Sequence, residues 1–206
     1  MIELSQVSYS YPDGTSALDS VTFSVRPGEV LSLAGATGSG KSTLISHLNG
    51  LLRPSLGMVR IEGHDARRLR VAQLSRRVGV AFQEPDHQLY KTSVREEIAC
   101  AAAGPGRLEL VMEWLGLKAV AGRHPHDLGY ARRKLVAIAA VVAMGTPIVV
   151  LDEPAVGQDR RGIEVLVSLF GHLREEGRTV LFAGHRRELP DRVADRQLHL
   201  DSGRLA

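Results

Sequence analysis

The sequence is poor in cysteine and in aromatic residues. Cys100 is the only cysteine among 206 residues, which excludes an internal disulfide and fits a reducing compartment. No stretch approaches the run of about 18 apolar residues that a membrane-spanning helix requires. The first residues show no basic region followed by an apolar segment, so no secretory signal peptide is expected. We therefore expect a chain that does not itself span a membrane.

An excess of charge of one sign is also missing. Lys and Arg total 26 against 23 Asp and Glu, which leaves a formal net charge of +3. This balance does not favour nucleic acid as a partner. Basic residues cluster in two places, and we interpret the first cluster as a solvated face. The clusters are Arg67, Arg68, Arg70, Arg76 and Arg77, and then Arg132, Arg133 and Lys134.

The order of apolar segments in the first third predicts strands around a glycine-rich loop. Val21, Phe23 and Val25 alternate with polar neighbours, as in a half-buried strand. Residues 30–34 form a short apolar strand, and apolar residues recur at helical spacing over residues 42–51. A chain of 206 residues is long enough for one sizeable core with a small satellite.

The remainder predicts a helical subdomain followed by a return to alternating strands and helices. The segment of about residues 90–140 is helical in character, with a break at residues 104–106. Within it, Trp114 lies on an apolar helix face, and we expect this residue in the core. Residues 148–151 and 179–183 are strand-like, with a helical pattern between them. Strands alternating with helices predict an α/β fold with a mainly parallel, covered sheet.

The stretch GATGSGKST, residues 35–43, carries the most specific chemistry. It matches G-x-x-x-x-G-K-[ST] between a predicted strand and a predicted helix. Glycines let successive N–H groups face a phosphate, and the helix N-terminus adds the positive end of its dipole. Lys41, which we count among the catalytic residues, then reaches the β- and γ-phosphates, and the Ser42 hydroxyl binds Mg²⁺. The predicted nucleoside triphosphate site comprises Gly35, Ala36, Thr37, Gly38, Ser39, Gly40, Lys41, Ser42 and Thr43.

Two adjacent carboxylates, Asp152 and Glu153, close the apolar run PIVVLDE. Such a pair is often a solvated strand terminus. Beside a P-loop, at the same edge of a parallel sheet, the first carboxylate holds Mg²⁺ and the next polarises the attacking water. We therefore predict Asp152 as a metal ligand and Glu153 as catalytic.

Gln83 and His185 each follow a strand-like run. The Gln83 amide could reach Mg²⁺ or the attacking water, and a neutral His185 imidazole could donate a hydrogen bond near the γ-phosphate. Spacing alone assigns neither residue. His124 and His126, separated by one residue, form a weaker pattern that we interpret as structural rather than metal-binding.

Taken in order, these features resemble an ATP-binding cassette (ABC) ATPase over essentially the full chain. The elements are Tyr11, GATGSGKST, Gln83, the helical segment, LDEP and His185. The resemblance implies a P-loop NTPase cassette in one domain of residues 1–206. It also implies an N-terminal antiparallel β region and a helical subdomain inserted in the α/β core.

The resemblance also implies ATP and Mg²⁺ as cofactors, with a role for each motif. Tyr11 would stack on adenine, Gln83 would be the Q-loop residue and a metal ligand, Glu153 the general base and His185 the switch histidine. Asp159 would contribute to the nucleotide site from a D-loop, residues 157–159, that crosses to a second subunit.

A narrower resemblance lies in AFQEPDHQLYKTSVREEIA. In energy-coupling factor (ECF) importers, prokaryotic transporters of vitamins and transition-metal ions, a P-D-x-Q-L/F segment follows the Q-loop glutamine. Pro85, Asp86, Gln88 and Leu89 match it here. The resemblance implies contact between this segment and a membrane-embedded T component, while a separate S component selects the substrate. The chain would then lie peripherally on the cytoplasmic face of the membrane.

The segment LGYAR, residues 128–132, departs from the family. It stands where the family has LSGGQ, whose serine and glycines bind ATP held by the opposite subunit. Gly129 removes the hydroxyl, and Tyr130 and Ala131 replace the two glycines. Loss of one preorganised donor commonly costs about 10²–10³ in rate. We therefore expect a heterodimer with a second ATPase, having one strong and one weak site, rather than a homodimer.

Other interpretations stay open. LGYAR favours a regulatory subunit that closes on ATP and barely hydrolyses it, whereas Glu153 and His185 favour hydrolysis. A soluble ABC protein acting on nucleic acid or ribosomes usually needs paired cassettes or long insertions, which do not fit in 206 residues. A P-loop kinase is disfavoured because no acceptor site or lid is recognisable. The transported substrate is not encoded in this chain.

Overall fold

The computed structural model describes residues 1–184 and 188–206, which form two β-sheets and a set of helices. The strands are β1 Ile2–Ser10, β2 Ser16–Val25, β3 Val30–Ala34, β4 Leu56–Ile61, β5 His64–Asp65, β6 Val78–Ala81, β7 Ile148–Asp152, β8 Thr179–Gly184, β9 Arg196–Asp201 and β10 Arg204–Leu205. The α-helices are α1 Lys41–Leu48, α2 Val71–Leu74, α3 Val94–Ala99, α4 Pro105–Trp114, α5 Tyr130–Ala143, α6 Arg160–Glu175 and α7 Pro190–Val193. Short 3₁₀ helices occur at Ala66–Arg68, Pro85–His87, Lys118–Val120 and Pro125–Asp127.

The larger sheet has the strand order β10-β9-β3-β8-β7-β6. All neighbouring pairs in it are parallel except β10 and β9. The expectation of an α/β fold with a mainly parallel sheet is therefore confirmed. Because parallel strands point the same way, the ends of β3, β8, β7 and β6 lie along one edge.

The N-terminal strands form a separate antiparallel sheet with the order β2-β1-β4-β5. Strand β1 lies in its middle, where Ile2 pairs with Val25 on one side and with Ile61 on the other. This sheet is the expected N-terminal antiparallel β region.

Apolar residues cover both faces of the larger sheet. In β7, Val149 and Leu151 pack into a cluster with the helices α3 to α6, whereas Ile148 and Val150 pack into a second cluster with the antiparallel sheet and α1. All four side chains are buried. A parallel strand covered on both faces reads as a continuous apolar run, which is why PIVVL carries no alternation.

Two helix boundaries differ from those expected. Helix α1 ends at Leu48, because Gly50 has a left-handed backbone (φ +77°) and Leu51 is 57% exposed. Pro105, predicted to lie in a break, instead begins α4; the first helical position tolerates proline because its N–H would be unpaired there.

Among the helices of the described residues, none is both long and apolar enough to cross a membrane.

Trp114 is partly buried and packs against the apolar cluster formed with helices α3 to α6, at its edge rather than inside it. Its ring stacks on the His172 ring of α6, with centroids 4.5 Å apart and planes 9° apart. The Arg107 guanidinium lies 5.1 Å from the Trp114 ring centre and also pairs with Glu176. The indole therefore joins α4 to α6 at the surface, a role that an apolar pattern along one helix does not show.

The contact between Phe170 of α6 and Phe182 of β8 offers a test of the core. Both rings are buried and meet edge to face with centroids 4.9 Å apart. We expect Phe170→Ala to lower the free energy of unfolding by about 3–5 kcal/mol, because it leaves a cavity against the sheet. Urea denaturation measures this loss. Phe170→Leu, which keeps most of the volume, should lose clearly less, and equal losses would contradict the packing described.

Candidate functional site

The residues with predicted chemistry lie where the parallel strands end. Strand β3 leads into the glycine-rich loop, β7 ends at Asp152, and β6 ends two residues before Gln83. His185 follows directly after β8 in the sequence but lies outside the described residues. Pairing of β6 with β7, β7 with β8 and β8 with β3 places these strand ends side by side.

The glycine-rich loop wraps around the start of α1. Gly40 caps the helix with a left-handed backbone (φ +105°), and a Cβ there would lie 2.5 Å from the Ala17 carbonyl oxygen. Only glycine meets both conditions. Since Gly40 has no side chain to bind the first N–H groups of α1, the helix N-terminus can bind an anion.

Lys41 lies under the loop and is only 6% exposed. Its Nζ donates to the carbonyl oxygens of Gly35 at 2.8 Å and Ala36 at 2.9 Å. The same atom lies 3.8 Å from Glu153 Oε1. These contacts hold a buried positive charge beside the loop and one of the predicted catalytic carboxylates.

A cavity of about 410 Å³ opens over the loop. It brings together most of the predicted nucleotide-binding and catalytic side chains, which are Tyr11, Thr37, Gly38, Gly40, Lys41, Ser42, Thr43, Gln83 and Glu153. Its volume falls within the range of about 300–1,000 Å³ that is typical of small-molecule sites.

Tyr11 stands at the wall of this cavity. Its hydroxyl shares a hydrogen bond of 2.9 Å with Thr43 Oγ1. The Tyr9 ring supports it edge-on, with centroids 5.1 Å apart, and Tyr11 stays 38% exposed. Because Tyr11 is held at its hydroxyl, lines the cavity and stays partly exposed, its ring is suited to stacking on a planar base.

Asp152 and Ser42 meet beneath the cavity. Asp152 is 3% exposed, and its Oδ1 has no hydrogen-bond partner within residues 1–184 and 188–206. Burial raises the pKa of the Asp152 carboxyl, while the Ser42 hydroxyl and the charge of Lys134 oppose that shift. A buried carboxylate oxygen without a partner calls for an explanation, and a cation supplies one. Gln83 lines the same cavity as Ser42, and the oxygen donors of these three residues are of the kind that suits Mg²⁺.

Glu153 adopts a backbone conformation that is unusual for a residue with a side chain. Its φ is +49°, and its N–H donates to the Ala183 carbonyl oxygen at 3.1 Å. Such conformations cost of order 1–3 kcal/mol and cluster at functional sites. Here the turn directs the Glu153 carboxylate toward Lys41 and the cavity. The residue as a whole is 9% exposed.

The segment after Gln83 is held in place by Gln88. The Gln88 Oε1 accepts from the Phe82 N–H at 2.8 Å, and its Nε2 donates to the Val80 carbonyl at 2.9 Å. Pro85 and Leu89 are buried within the chain. Within the chain, the contacts of these residues shape the segment from inside.

Asp86, by contrast, is exposed in this segment and forms surface ion pairs. Its Oδ1 lies 2.9 Å from Arg133 Nε and 3.6 Å from His126 Nδ1. The His124 and His126 rings lie 5.5 Å apart, and the described residues contain no group of three side chains suited to a metal ion. The structure therefore assigns His126 to a contact with Asp86.

The LGYAR segment contacts its own chain at the start of α5. The Tyr130 ring packs on Gly157, where a Cβ would lie 2.7 Å from Tyr130 Cδ1, and its hydroxyl donates to the Gln83 carbonyl at 3.4 Å. The Gln158 amide donates to the Ala131 carbonyl at 2.9 Å. Burial raises the pKa of the Tyr130 hydroxyl. Tyr130 and Ala131 are thus tied to residues 157–158 and to Gln83.

Asp159 has a local role in the structure. Its carboxylate accepts from the Gly162 N–H at 2.8 Å and caps the N-terminus of α6. The residue is exposed and does not line the cavity described above. Its predicted place in a nucleotide site shared between two subunits is not tested by one chain.

Lys134 is a site residue that sequence reasoning missed. It is fully buried, and its Nζ donates to the carbonyl oxygens of Phe82, Gln83 and Asp152. Burial lowers the pKa of Lys134 to about 8. In the sequence it follows Arg132 and Arg133 and looks like part of a basic surface cluster. Lys134 lies four residues after Tyr130, on the side of α5 that faces the core. This spacing was the sequence signal that could have indicated a buried lysine.

Comparison with known proteins extends the likeness over the whole chain. Residues 18–156 match the sequence profile of the family described as ABC transporter. The chain is 39% identical over 215 residues to the energy-coupling factor transporter ATP-binding protein EcfA of Methanothermobacter thermautotrophicus, covering 100% of this chain and 69% of that relative.

Two solved structures share the fold. One is cbiO1 from Clostridium perfringens, part of the ABC transporter complex cbiONQ, with 29% identity and a TM-score of 0.87 over 100% of this chain and 86% of that one. The other is a dimeric ATP-binding cassette in a post-hydrolysis state bound to ADP and Pi, with 26% identity and a TM-score of 0.89 over 100% and 96%. Each covers both the cavity and the helical segment.

The close approach at Gly40 generates a stability prediction. Gly14 has a similar left-handed backbone (φ +87°), but a Cβ there meets no atom within 4 Å. We expect Gly14→Ala to cost about 1–2 kcal/mol for its backbone alone. Gly40→Ala should cost about 1–3 kcal/mol more, because its Cβ overlaps the Ala17 carbonyl. Urea denaturation of both variants measures the difference, and equal losses would contradict the tight loop geometry.

Proposed function

The chain belongs to the ABC transporter family and is an ATPase whose hydrolysis is coupled to transport, and from this premise we propose that it powers an importer of the energy-coupling factor type. The observation that carries the proposal is the convergence of Lys41, Gln83 and Glu153 on one cavity above the buried Asp152. The P-D-x-Q-L segment and the name of the 39% identical relative support the importer type. We further propose that residues 1–206 act as a single cassette domain with a helical subdomain at about 90–140.

The loop and Tyr11 would bind the nucleotide. Backbone N–H groups of residues 35–43 and the N-terminus of α1 face the phosphates, and Lys41 adds a positive charge that is already desolvated. Tyr11, fixed by Thr43, would stack on adenine. Mg²⁺, when bound, neutralises charge on the phosphate oxygens, and Ser42, Gln83 and Asp152 would hold it.

Glu153 would act as the general base toward the attacking water. Its unusual backbone places the carboxylate at the cavity wall, and Lys41 lies 3.8 Å away. A carboxylate at this position can accept a proton from a water in the cavity. His185, which follows β8 in the sequence, would act as the switch histidine.

A second ATPase subunit would complete the nucleotide sites. In this family ATP lies between the P-loop of one subunit and the LSGGQ segment of the other. Here the corresponding Tyr130 and Ala131 contact their own chain, and Tyr130 occupies the space beside Gly157. We therefore propose a heterodimer in which ATP on Lys41 meets an ordinary LSGGQ and hydrolyses fast, while the partner's ATP meets LGYAR and hydrolyses slowly.

The membrane components would bind near the segment after Gln83. Pro85, Gln88 and Leu89 shape this segment from within, so the exposed Asp86 and its neighbours would form the contact with the T component. The S component would attach indirectly and select a vitamin or a transition-metal ion. The chain would then lie peripherally at the cytoplasmic face of the membrane.

Replacing Glu153 tests both the catalytic role and the asymmetry. In the assembled transporter, Glu153→Gln should lower ATP turnover about 10²–10⁴-fold, because the amide cannot accept a proton from water, while ATP binding is retained. The corresponding substitution in the partner subunit should lower turnover much less. Steady-state phosphate release and equilibrium ATP binding measure these effects.

The control is Glu175→Gln, which changes an exposed carboxylate at the end of α6 and should leave turnover unchanged. Turnover near wild type in the Glu153→Gln complex would show that the general base lies elsewhere. Equal losses from both subunits would contradict the asymmetric heterodimer. Negligible turnover in the wild-type complex would favour the regulatory subunit instead.

Tyr90 tests the proposed membrane contact. It is 77% exposed at the end of this segment, and its hydroxyl donates to the His87 carbonyl at 2.7 Å. We expect Tyr90→Ala to weaken co-purification with the T component about tenfold, because exposed aromatic residues commonly anchor interfaces. Leu56→Ala, at a 69% exposed position on β4, is the matched control. Equal recovery of the T component with both variants would move the contact elsewhere.

A further inference from the structure

Lys134 connects two strand ends through a single atom. Its Nζ donates to Gln83 O at 2.5 Å and Phe82 O at 3.0 Å, both just after β6, and to Asp152 O at 2.7 Å, the last residue of β7. An ammonium group carries three N–H donors, and these carbonyls use all of them. The side chain has no exposed surface, so water does not compete for these donors.

Packing alone does not account for a lysine at this position. Removing an ammonium from water is costly, and good hydrogen-bond geometry is needed to offset that cost. A leucine or methionine would fill similar space on α5 without a charge to desolvate. The feature that only the ammonium supplies is a common anchor for the Gln83 and Asp152 main chains.

The two anchored residues are those proposed to bind Mg²⁺ together with Ser42. Gln83 and Asp152 come from neighbouring strands, and their side chains must approach one ion with an error of about 0.5 Å or less. We propose that Lys134 is a positioning residue that sets the Gln83 and Asp152 side chains for the Mg²⁺–nucleotide complex. This inference rests on the proposed function of the same site.

Tyr130 strengthens the same anchor from one helical turn earlier. Its hydroxyl also donates to the Gln83 carbonyl, so two side chains on one face of α5 hold the Q-loop main chain. The helix that carries the altered LGYAR segment thus holds the metal-binding residues of its own chain. This explains how α5 can lose its expected contacts across a dimer and still serve the site.

Arg178 offers a matched control because it is a second buried cation that donates to main-chain carbonyls. It is 5% exposed and donates to Thr146 O at 2.7 Å and Val142 O at 3.0 Å. Arg178 precedes β8 and Thr146 precedes β7, so these contacts lie at the opposite edge of the sheet. Loss of either cation should lower the stability of the fold, but only the loss of Lys134 should weaken Mg²⁺ binding with ATP.

The experiment compares ATP affinity in Mg²⁺ with ATP affinity in EDTA for the full chain and its variants. The gain is the factor by which Mg²⁺ strengthens ATP binding relative to EDTA. We expect Lys134→Gln to reduce this gain about 10–100-fold, which is the usual effect of removing a residue that supports metal ligands. The ATP affinity in EDTA should change little. Lys134→Arg keeps the charge but cannot place three N–H groups at one point, so a smaller reduction is expected. Arg178→Gln should lower the melting temperature and leave the gain unchanged.

Bound Mn²⁺ provides a spectroscopic readout that is independent of turnover. The electron paramagnetic resonance spectrum of the Mn²⁺–ATP complex should change in Lys134→Gln and match wild type in Arg178→Gln. Suppose that Lys134→Gln and Arg178→Gln both melt at a lower temperature but keep the Mg²⁺-dependent gain in ATP affinity and the wild-type Mn²⁺ spectrum. Lys134 is then structural only, and the inference is overturned. If Lys134→Gln does not fold, an unchanged gain and spectrum in Lys134→Arg overturns it as well.

The same measurements separate this inference from the proposed function. A wild-type chain that binds no ATP, or whose site does not take up Mn²⁺ with ATP, would contradict the function proposed for the cavity and the inference with it. If the wild-type chain binds ATP and Mn²⁺, and Lys134→Gln binds them equally well, only the positioning role of Lys134 is contradicted.

Discussion

Parallel pairing of β6, β7, β8 and β3 is the constraint on which the site depends. Parallel strands end at one edge, and ligand sites in such sheets form outside these carboxyl ends. The pairing makes neighbours of residues that are far apart in sequence, such as Lys41, Gln83 and Asp152. Each of these four strands contributes buried residues to both apolar clusters, which anchors the strands on both faces of the sheet.

Opposite charges are buried together at this edge, and each reduces the cost of the others. Lys41 lies beside Glu153, and the charge of Lys134 acts against the effect of burial on the Asp152 carboxyl. A single charge of this kind would be expensive to bury, whereas paired and hydrogen-bonded charges are tolerated. Lys41 and Lys134 both act on the Asp152 carboxyl, so the loss of either cation alters the electrostatics at Asp152. This interdependence makes the metal-specific readouts more informative than stability alone.

Local motifs were the part of the site that the sequence could predict. The segment 35–43 forms its loop from its own glycines, and the acids that close β7 follow directly from an apolar strand, so sequence spacing equals spatial arrangement. The α/β class followed from the alternation of strands and helices, and the antiparallel N-terminal region was implied by the family resemblance; both were predicted correctly. The role of Lys134 and the turn at Glu153 depend on contacts with strands distant in sequence, so the motifs alone did not show them. The inward contacts of Gln88 are local, to Val80 and Phe82, but no motif indicated that its side chain turns back on β6.

The contacts of Tyr130 explain why an altered LGYAR segment is compatible with a preserved cavity. The residues that line the cavity come from the loop, β6, β7 and the N-terminal sheet, whereas residues 128–132 lie at the start of α5. The cavity lining and the LGYAR segment are therefore supplied by different parts of the chain. What links the two surfaces inside the chain is α5 itself, through Tyr130 and Lys134. Holding the Gln83 main chain is thus a role that this helix has within its own chain.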